Sequence, residues 1–180
     1  MSRFLYHFNA MSTKCEISLF SDSKFKADMV ASDIVRFVKK QESRYNFYSL
    51  NSIISLINRR ELKILDTETV WLLKKSQDFY NLTDSIFDIT MGTFKECYKK
   101  KTLQEFHYCK DRLKSLNHNW YIKNSKIFFT NPSTKLDLGG VVKEYLVDET
   151  VRIVKKNGIK SAIINFGGDD INPLVVKKQI

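Results

Sequence analysis

The chain has 180 residues, 43% of them hydrophobic and 28% charged, with a formal net charge of +10. That length and balance exclude a disordered tail and suit a globular body with a core of one domain or a little more. The cations are scattered in pairs from Lys39-Lys40 to Lys177-Lys178 rather than gathered in one stripe, so they read as solvated surface and not as a nucleic-acid footprint.

The cysteines Cys15, Cys97 and Cys109 are an odd number at irregular spacing and make no disulfide framework. Cys97, His107, Cys109 and His118 are separated by nine, one and eight residues, unlike the paired spacing of structural zinc, and read as incidental. No apolar run follows a basic start, so the chain reads as cytoplasmic as it stands, or periplasmic had a leader been trimmed. No stretch approaches the length of a transmembrane segment.

In chain order, residues 3–20 alternate and predict one or two strands, the second from Lys14 to Phe20. Ser23 caps a helix running to about Glu42, with Val30, Ile34, Phe37 and Val38 on one face. A Tyr-rich loop follows. Ser52 then opens a short helix through Asn58, and Leu62 to Leu65 reads as a brief strand. Asp66 or Thr67 caps the next helix, to about Asn81, while residues 83–94 show no clean period and read as a loop with apolar anchors. A helix is expected over 102–114, then a hairpin of Trp120 to Lys123 and Lys126 to Thr130 around Asn124-Ser125. Leu136 to Leu138 reads as a short strand, Gly139-Gly140 as a turn, Val141 to Asn157 as a helix with Gly158 as its C-cap, and Ser161 to Phe166 as an apolar strand. The pattern is that of an α+β fold, mixed-sheet layers with packed helices.

On the helix from Val141, Lys143 falls inside the apolar arc and in the first turn, where a cation opposes the helix dipole. It is unfavourable there unless something anionic sits beside it. Two glycines ahead of a helix let a ligand approach free backbone N–H groups, and Asp137 can accept hydrogen bonds or pair with Lys143. Two readings stay open on these residues alone. One is a cradle for a phosphate-bearing ligand. The other is a plain strand-to-helix turn, capped by Asp137, with Lys143 extended to water.

Four ordered segments carry a resemblance. Asp137 to Asp148, DLGGVVKEYLVD, followed by KSAIINFGGD, resembles the pattern D-L-G-G-I-A-K-G-Y-A-V-D, a strand and a double glycine in the ApbE family of flavin transferases. Ala10 to Thr13 resembles that family's M-G-T strand, Tyr48 through Asn58 its Y-x-x-x-S-x-x-S-x-x-N segment, and Phe87 to Thr90 its F-D-x-T loop. The resemblance implies a T-fold-like flavin transferase domain. It also implies transfer of FMN from FAD to a Thr or Ser hydroxyl of an acceptor protein, with Mg²⁺ and release of AMP. It implies that Met11, Tyr48, Ile86, Phe87, Asp88, Asp137 and Lys143 hold FAD, and that the carbonyl of Gly140 helps hold the metal. No catalytic residue follows from it.

Departures accompany the match. Ser12, Ser85 and Glu144 stand where the family has glycine. The family also continues past its double glycine into an H-I-x-D-P-x-T-G segment and an Asp/Thr-Ser cluster with the main metal ligands. Residues 1–180 are therefore expected to be the N-terminal portion of a single such domain, incomplete at the C-terminus. A flavin-binding remnant without transfer is the alternative reading, and a basic nucleic-acid-binding protein the third.

Overall fold

The computed structural model describes residues 1–97, 102–105, 107, 119–167 and 170–175. In chain order its elements are β1 (Ser2–Ala10), β2 (Thr13–Ser21), α1 (Lys24–Tyr45), α2 (Ile53–Asn58), α3 (Thr67–Leu82), α4 (Gly92–Cys97), β3 (Trp120–Lys123), β4 (Lys126–Phe129), α5 (Gly139–Lys156), β5 (Ser161–Phe166) and β6 (Asp170–Val175). The chain divides into two compact units, Met1–Arg44 with Val142–Ile180, and Tyr45–Val141.

The first unit is built on a four-stranded sheet in the order β1-β2-β5-β6, antiparallel throughout. Period-two alternation sets its inward face. Cys15 sits opposite Phe166, Ile17 opposite Ile164 and Leu19 opposite Ala162, and all six side chains are buried. On α1, Ala27, Val30, Ala31, Ile34 and Val38 are buried at three- and four-residue intervals. Val142, Leu146, Val147, Val151 and Val154 do the same on α5. Each buried Val, Leu or Ile among them contributes about 1.5–3 kcal/mol of burial. Gly158, with φ of +66°, ends α5 in the left-handed conformation expected of its C-cap.

The β1–β2 connection is a two-residue loop, Met11-Ser12, with φ values of 52° and 60°. Both residues are left-handed, as the right-handed twist of a tight hairpin demands, and neither is glycine. β6 is a strand that the sequence did not announce. It pairs with β5 and sets Pro173 opposite Ile163, a place open to proline because β6 lies at the end of the strand order.

The second unit holds less regular structure. The Ser52 side chain caps α2 by accepting from Ser55 N–H, and Asp66 caps α3 by accepting from Thr69 N–H. The β3–β4 hairpin turns on Asn124 and Ser125, both left-handed, as expected. Ile54, Ile57, Leu72, Leu73, Leu136 and Leu138 are fully buried and form the heart of its core.

Three expectations change in this unit. Leu62 to Leu65 is no strand: it lies along β4 through one isolated bridge, Ile64 to Lys126, and through Leu65 N–H to Ser125 O and Ile127 N–H to Lys63 O. Leu136 to Leu138 is not a strand either, because a side chain rather than a neighbouring strand takes the polar groups of Leu136. Gly139 and Gly140 are the first two residues of α5 rather than a turn before it. The short α4 was also not expected, and its six residues are too few to show a period. Of the helix expected over 102–114, residues 106 and 108–114 lie outside the described residues, as do Cys109 and His118. Among the described residues, no helix is long and apolar enough to cross a membrane.

Candidate functional site

The second unit brings three of the four ordered segments together. Asn58, the last residue of the Tyr48-to-Asn58 segment, grips Leu136 from both sides: its Nδ2 donates to Leu136 O at 2.9 Å and its Oδ1 accepts from Leu136 N–H at 2.7 Å. The loop from Phe87 to Thr93 closes on the other flank. Asp137 N–H donates to Ile89 O at 2.8 Å, and Lys135 N–H to Thr93 Oγ1 at 2.8 Å. Gly92 permits this approach, since a Cβ there would lie 2.7 Å from Lys135 O and 2.8 Å from the carbonyl carbon of Leu136.

Asp137 therefore leaves this clamp pointing at the start of α5. Its Oδ1 accepts from Gly139 N–H at 2.9 Å, satisfying one of the unpaired donors of the helix N-terminus. Its Oδ2 pairs with Lys95 of α4, a residue that the sequence reading did not single out. The Lys95 ammonium also lies 5.4 Å from the ring centre of Phe47 and 5.5 Å from that of Tyr48, which meet edge to face. Gly140 faces Phe87, whose ring would lie 3.2 Å from a Cβ at that position. Phe87 in turn packs edge to face on Phe79 and donates its N–H to Thr83 Oγ1.

The other residues of this set stand around that cluster. Asp88 Oδ1 accepts from Thr90 N–H at 2.8 Å, shaping the loop from within. Ile86 is 88% exposed and Tyr48 64% exposed, so both side chains present surface to water. Asp84 and Ser85 are left-handed, with φ of 50° and 71°, which is why a glycine suits position 85 in the family pattern.

Met11 and Lys143 belong to the first unit. Met11 N–H donates to Glu42 Oε1 at 2.6 Å, and Glu42 also pairs with Lys39. Among the described residues of its unit, the Lys143 side chain has no ion-pair or hydrogen-bond partner. Burial pushes the Cys15 thiol above its ordinary pKa, hydrogen bonds with Thr13 and the Ala10 carbonyl oppose the rise, and Glu42 and Lys143 add smaller effects of opposite sign. The seven residues named for FAD thus divide as five in the second unit and two in the first.

The donor chemistry fits a flavin nucleotide in part and a metal ion poorly. Exposed aromatic and aliphatic side chains beside a lysine suit a flat ring with a phosphate tail. Among the described residues, no group of three or more His, Cys, Asp or Glu side chains could hold a metal. The Gly140 carbonyl lies in the first turn of α5, where helix geometry turns it toward the N–H of residue 144.

A cavity of about 360 Å³ also opens in the second unit, between Arg60, Leu62 and the β4 residues Ile127 to Phe129. It contains none of the site residues, and Arg60 beside it is committed to structure. Its guanidinium stacks 3.6 Å over the Phe129 ring and donates to the carbonyls of Asn58, Pro132 and Thr134.

Comparison with known proteins adds a family and a fold. The model of the ApbE family matches residues 11–173. A FAD:protein FMN transferase of Chlamydia pneumoniae is 31% identical over 136 residues, covering 70% of this chain and 43% of the relative. An ApbE protein from Thermotoga maritima superposes with a TM-score of 0.85 at 23% identity, over 98% of this chain and 60% of that one. A variant of the flavin transferase ApbE from Vibrio cholerae gives 0.83 at 16% identity, over 99% and 61%. This chain thus spans less than half of the curated relative and about three fifths of the solved ones.

Proposed function

We propose, on the premise that this chain belongs to the ApbE family, that residues 1–180 supply the flavin-nucleotide-binding part of an FAD:protein FMN transferase. The observation that carries the reading is the clamp in the second unit. Three sequence segments, far apart in the chain, meet at Asp137, beside the exposed ring of Tyr48.

In the proposed reaction the hydroxyl oxygen of a Thr or Ser on an acceptor protein attacks the phosphorus of the FMN half of FAD. The pyrophosphate P–O bond breaks, AMP leaves with the bridging oxygen, and the hydroxyl proton is released. This chain's residues bind and orient. Tyr48 and Ile86 offer apolar surface, and Met11 offers a soft thioether to a flat ring. Phe87 packs against the glycine start of α5. Lys143, without a carboxylate partner in its unit, offers charge to a phosphate. Magnesium enters from the family resemblance; on this chain it would meet the Gly140 carbonyl, one oxygen of the roughly six such an ion prefers. The net charge of +10 belongs to solvated surface in this reading, with a protein rather than a nucleic acid as partner.

A second reading, flavin-nucleotide binding without transfer, draws on the lack of a metal-holding cluster among the described residues. One experiment separates the two. The chain is incubated with FAD, Mg²⁺ and an acceptor protein that a full-length relative flavinylates, and covalent flavin is read on the acceptor after denaturation. Flavin on the acceptor supports transfer. Binding of FAD without covalent flavin leaves the second reading, and no binding of FAD removes both.

A further inference from the structure

We propose that Lys95 is the residue through which the second unit reads the phosphate of a flavin nucleotide, with Asp137 as the arm that holds it. The inference rests on the flavin-nucleotide reading above. It gives a role to a residue outside all four ordered segments.

The starting point is a conflict of charge. The resemblance gives Asp137 to FAD, yet a pyrophosphate and a carboxylate repel each other. The structure also leaves Asp137 little to offer a ligand directly. Its side chain is 11% exposed, its Oδ1 accepts from Gly139 N–H, and its Oδ2 holds Lys95. The ammonium of Lys95 cancels the carboxylate's charge where a phosphate would feel it.

Lys95 is equipped to do more than cancel. An ammonium has three donors, and the pair with Asp137 occupies one side of it. The side chain is 39% exposed, so a ligand can approach it from solvent. A free lysine stem samples many rotamers, and ordering it costs entropy. Here the ion pair with Asp137, together with the rings of Phe47 and Tyr48 at 5.4 and 5.5 Å, confines the ammonium before any ligand arrives. Preorganisation of that kind raises affinity by lowering the ordering cost of binding. Beside the cation, Tyr48 keeps 64% of its surface exposed. One unit thus presents a ring for a flat heterocycle and a fixed cation for the phosphate attached to it.

The test compares ligands that differ only in phosphate. FAD, FMN and riboflavin are titrated into the 180-residue chain and into K95Q, K95M and K95R, following flavin fluorescence, with circular dichroism to check folding. The native chain is expected to bind FAD and FMN more tightly than riboflavin. K95Q and K95M should each lose about tenfold or more on FAD and FMN, the scale of one charge-assisted hydrogen bond, and stay within about twofold on riboflavin. K95R should recover most of the loss. Two glutamine- and methionine-length replacements guard against a folding defect peculiar to one of them. Equal losses on all three ligands would mean that Lys95 only supports the fold, and unchanged FAD affinity would mean that it does not touch phosphate; either result overturns the inference while the flavin reading stands. Failure of the native chain to bind any of the three ligands removes that reading and this inference together.

Discussion

In the unit formed by Met1–Arg44 and Val142–Ile180, strands pair residue by residue, from Ser2 opposite Ser21 to Ala10 opposite Thr13 and from Cys15 opposite Phe166 to Phe20 opposite Ser161. In Tyr45–Val141, the critical segment from Lys135 to Asp137 has no such ladder. Its polar groups are taken by Asn58, by the Thr93 hydroxyl and by Ile89 O. The first arrangement spreads stability over many equivalent bonds, so any one of them matters little. The second concentrates it in a few side chains and one missing Cβ. A unit built in the second way can place Asp137 and Lys95 accurately, but it has few substitutes when a contact is lost.

The largest effect that would sharpen this contrast is expected at Gly92. Gly92→Val puts a branched side chain where even a Cβ would lie 2.7 Å from the Lys135 carbonyl oxygen. It should cost about 3 kcal/mol, at the upper end of overpacking, and abolish FAD binding with it. A denaturant midpoint and a flavin titration on the same sample would check this, and a variant that bound FAD normally would show that the clamp is not needed. Next comes Asn58→Ala, which strands the N–H and C=O of buried Leu136. The expected loss is about 2 kcal/mol in urea unfolding, and a change within experimental error would break the contrast. The smallest effect has the opposite sign and lies in the other unit. Ser12→Gly relieves a left-handed residue in the β1–β2 turn and should stabilise by about 0.5–1 kcal/mol, seen as a higher Tm. A lower Tm would mean that the Ser12 side chain does something there that a glycine cannot.

The same contrast governs what the sequence could reveal. Elements of the first unit were legible because local pattern carries them: alternation for β2, an apolar run for β5, the helical spacing of Val30, Ile34, Phe37 and Val38 for α1, and Gly158 for the end of α5. Local chemistry made Ser52, Asp66 and Asn124-Ser125 legible in the second unit, since a cap or a tight turn is written within four residues. Leu62 to Leu65 and Leu136 to Leu138 misled because a short apolar run looks the same whether a strand or a side chain satisfies its backbone. In the candidate site, Asp137 and the two glycines stood out as a pattern. Lys95 did not, because its significance lies in Asp137, Phe47 and Tyr48, which are distant in sequence and near only in the fold. The resemblance also passed over it, since position 95 belongs to none of the matched segments.

Tyr48 and Ile86 hold exposed apolar surface in water on the free chain. Water around such surface carries excess heat capacity, and any ligand that covers it releases that water. Association that covers these side chains is therefore set to show a negative heat-capacity change, so its enthalpy grows more favourable as the temperature rises. The surface that these two side chains expose thereby gives binding its thermal signature.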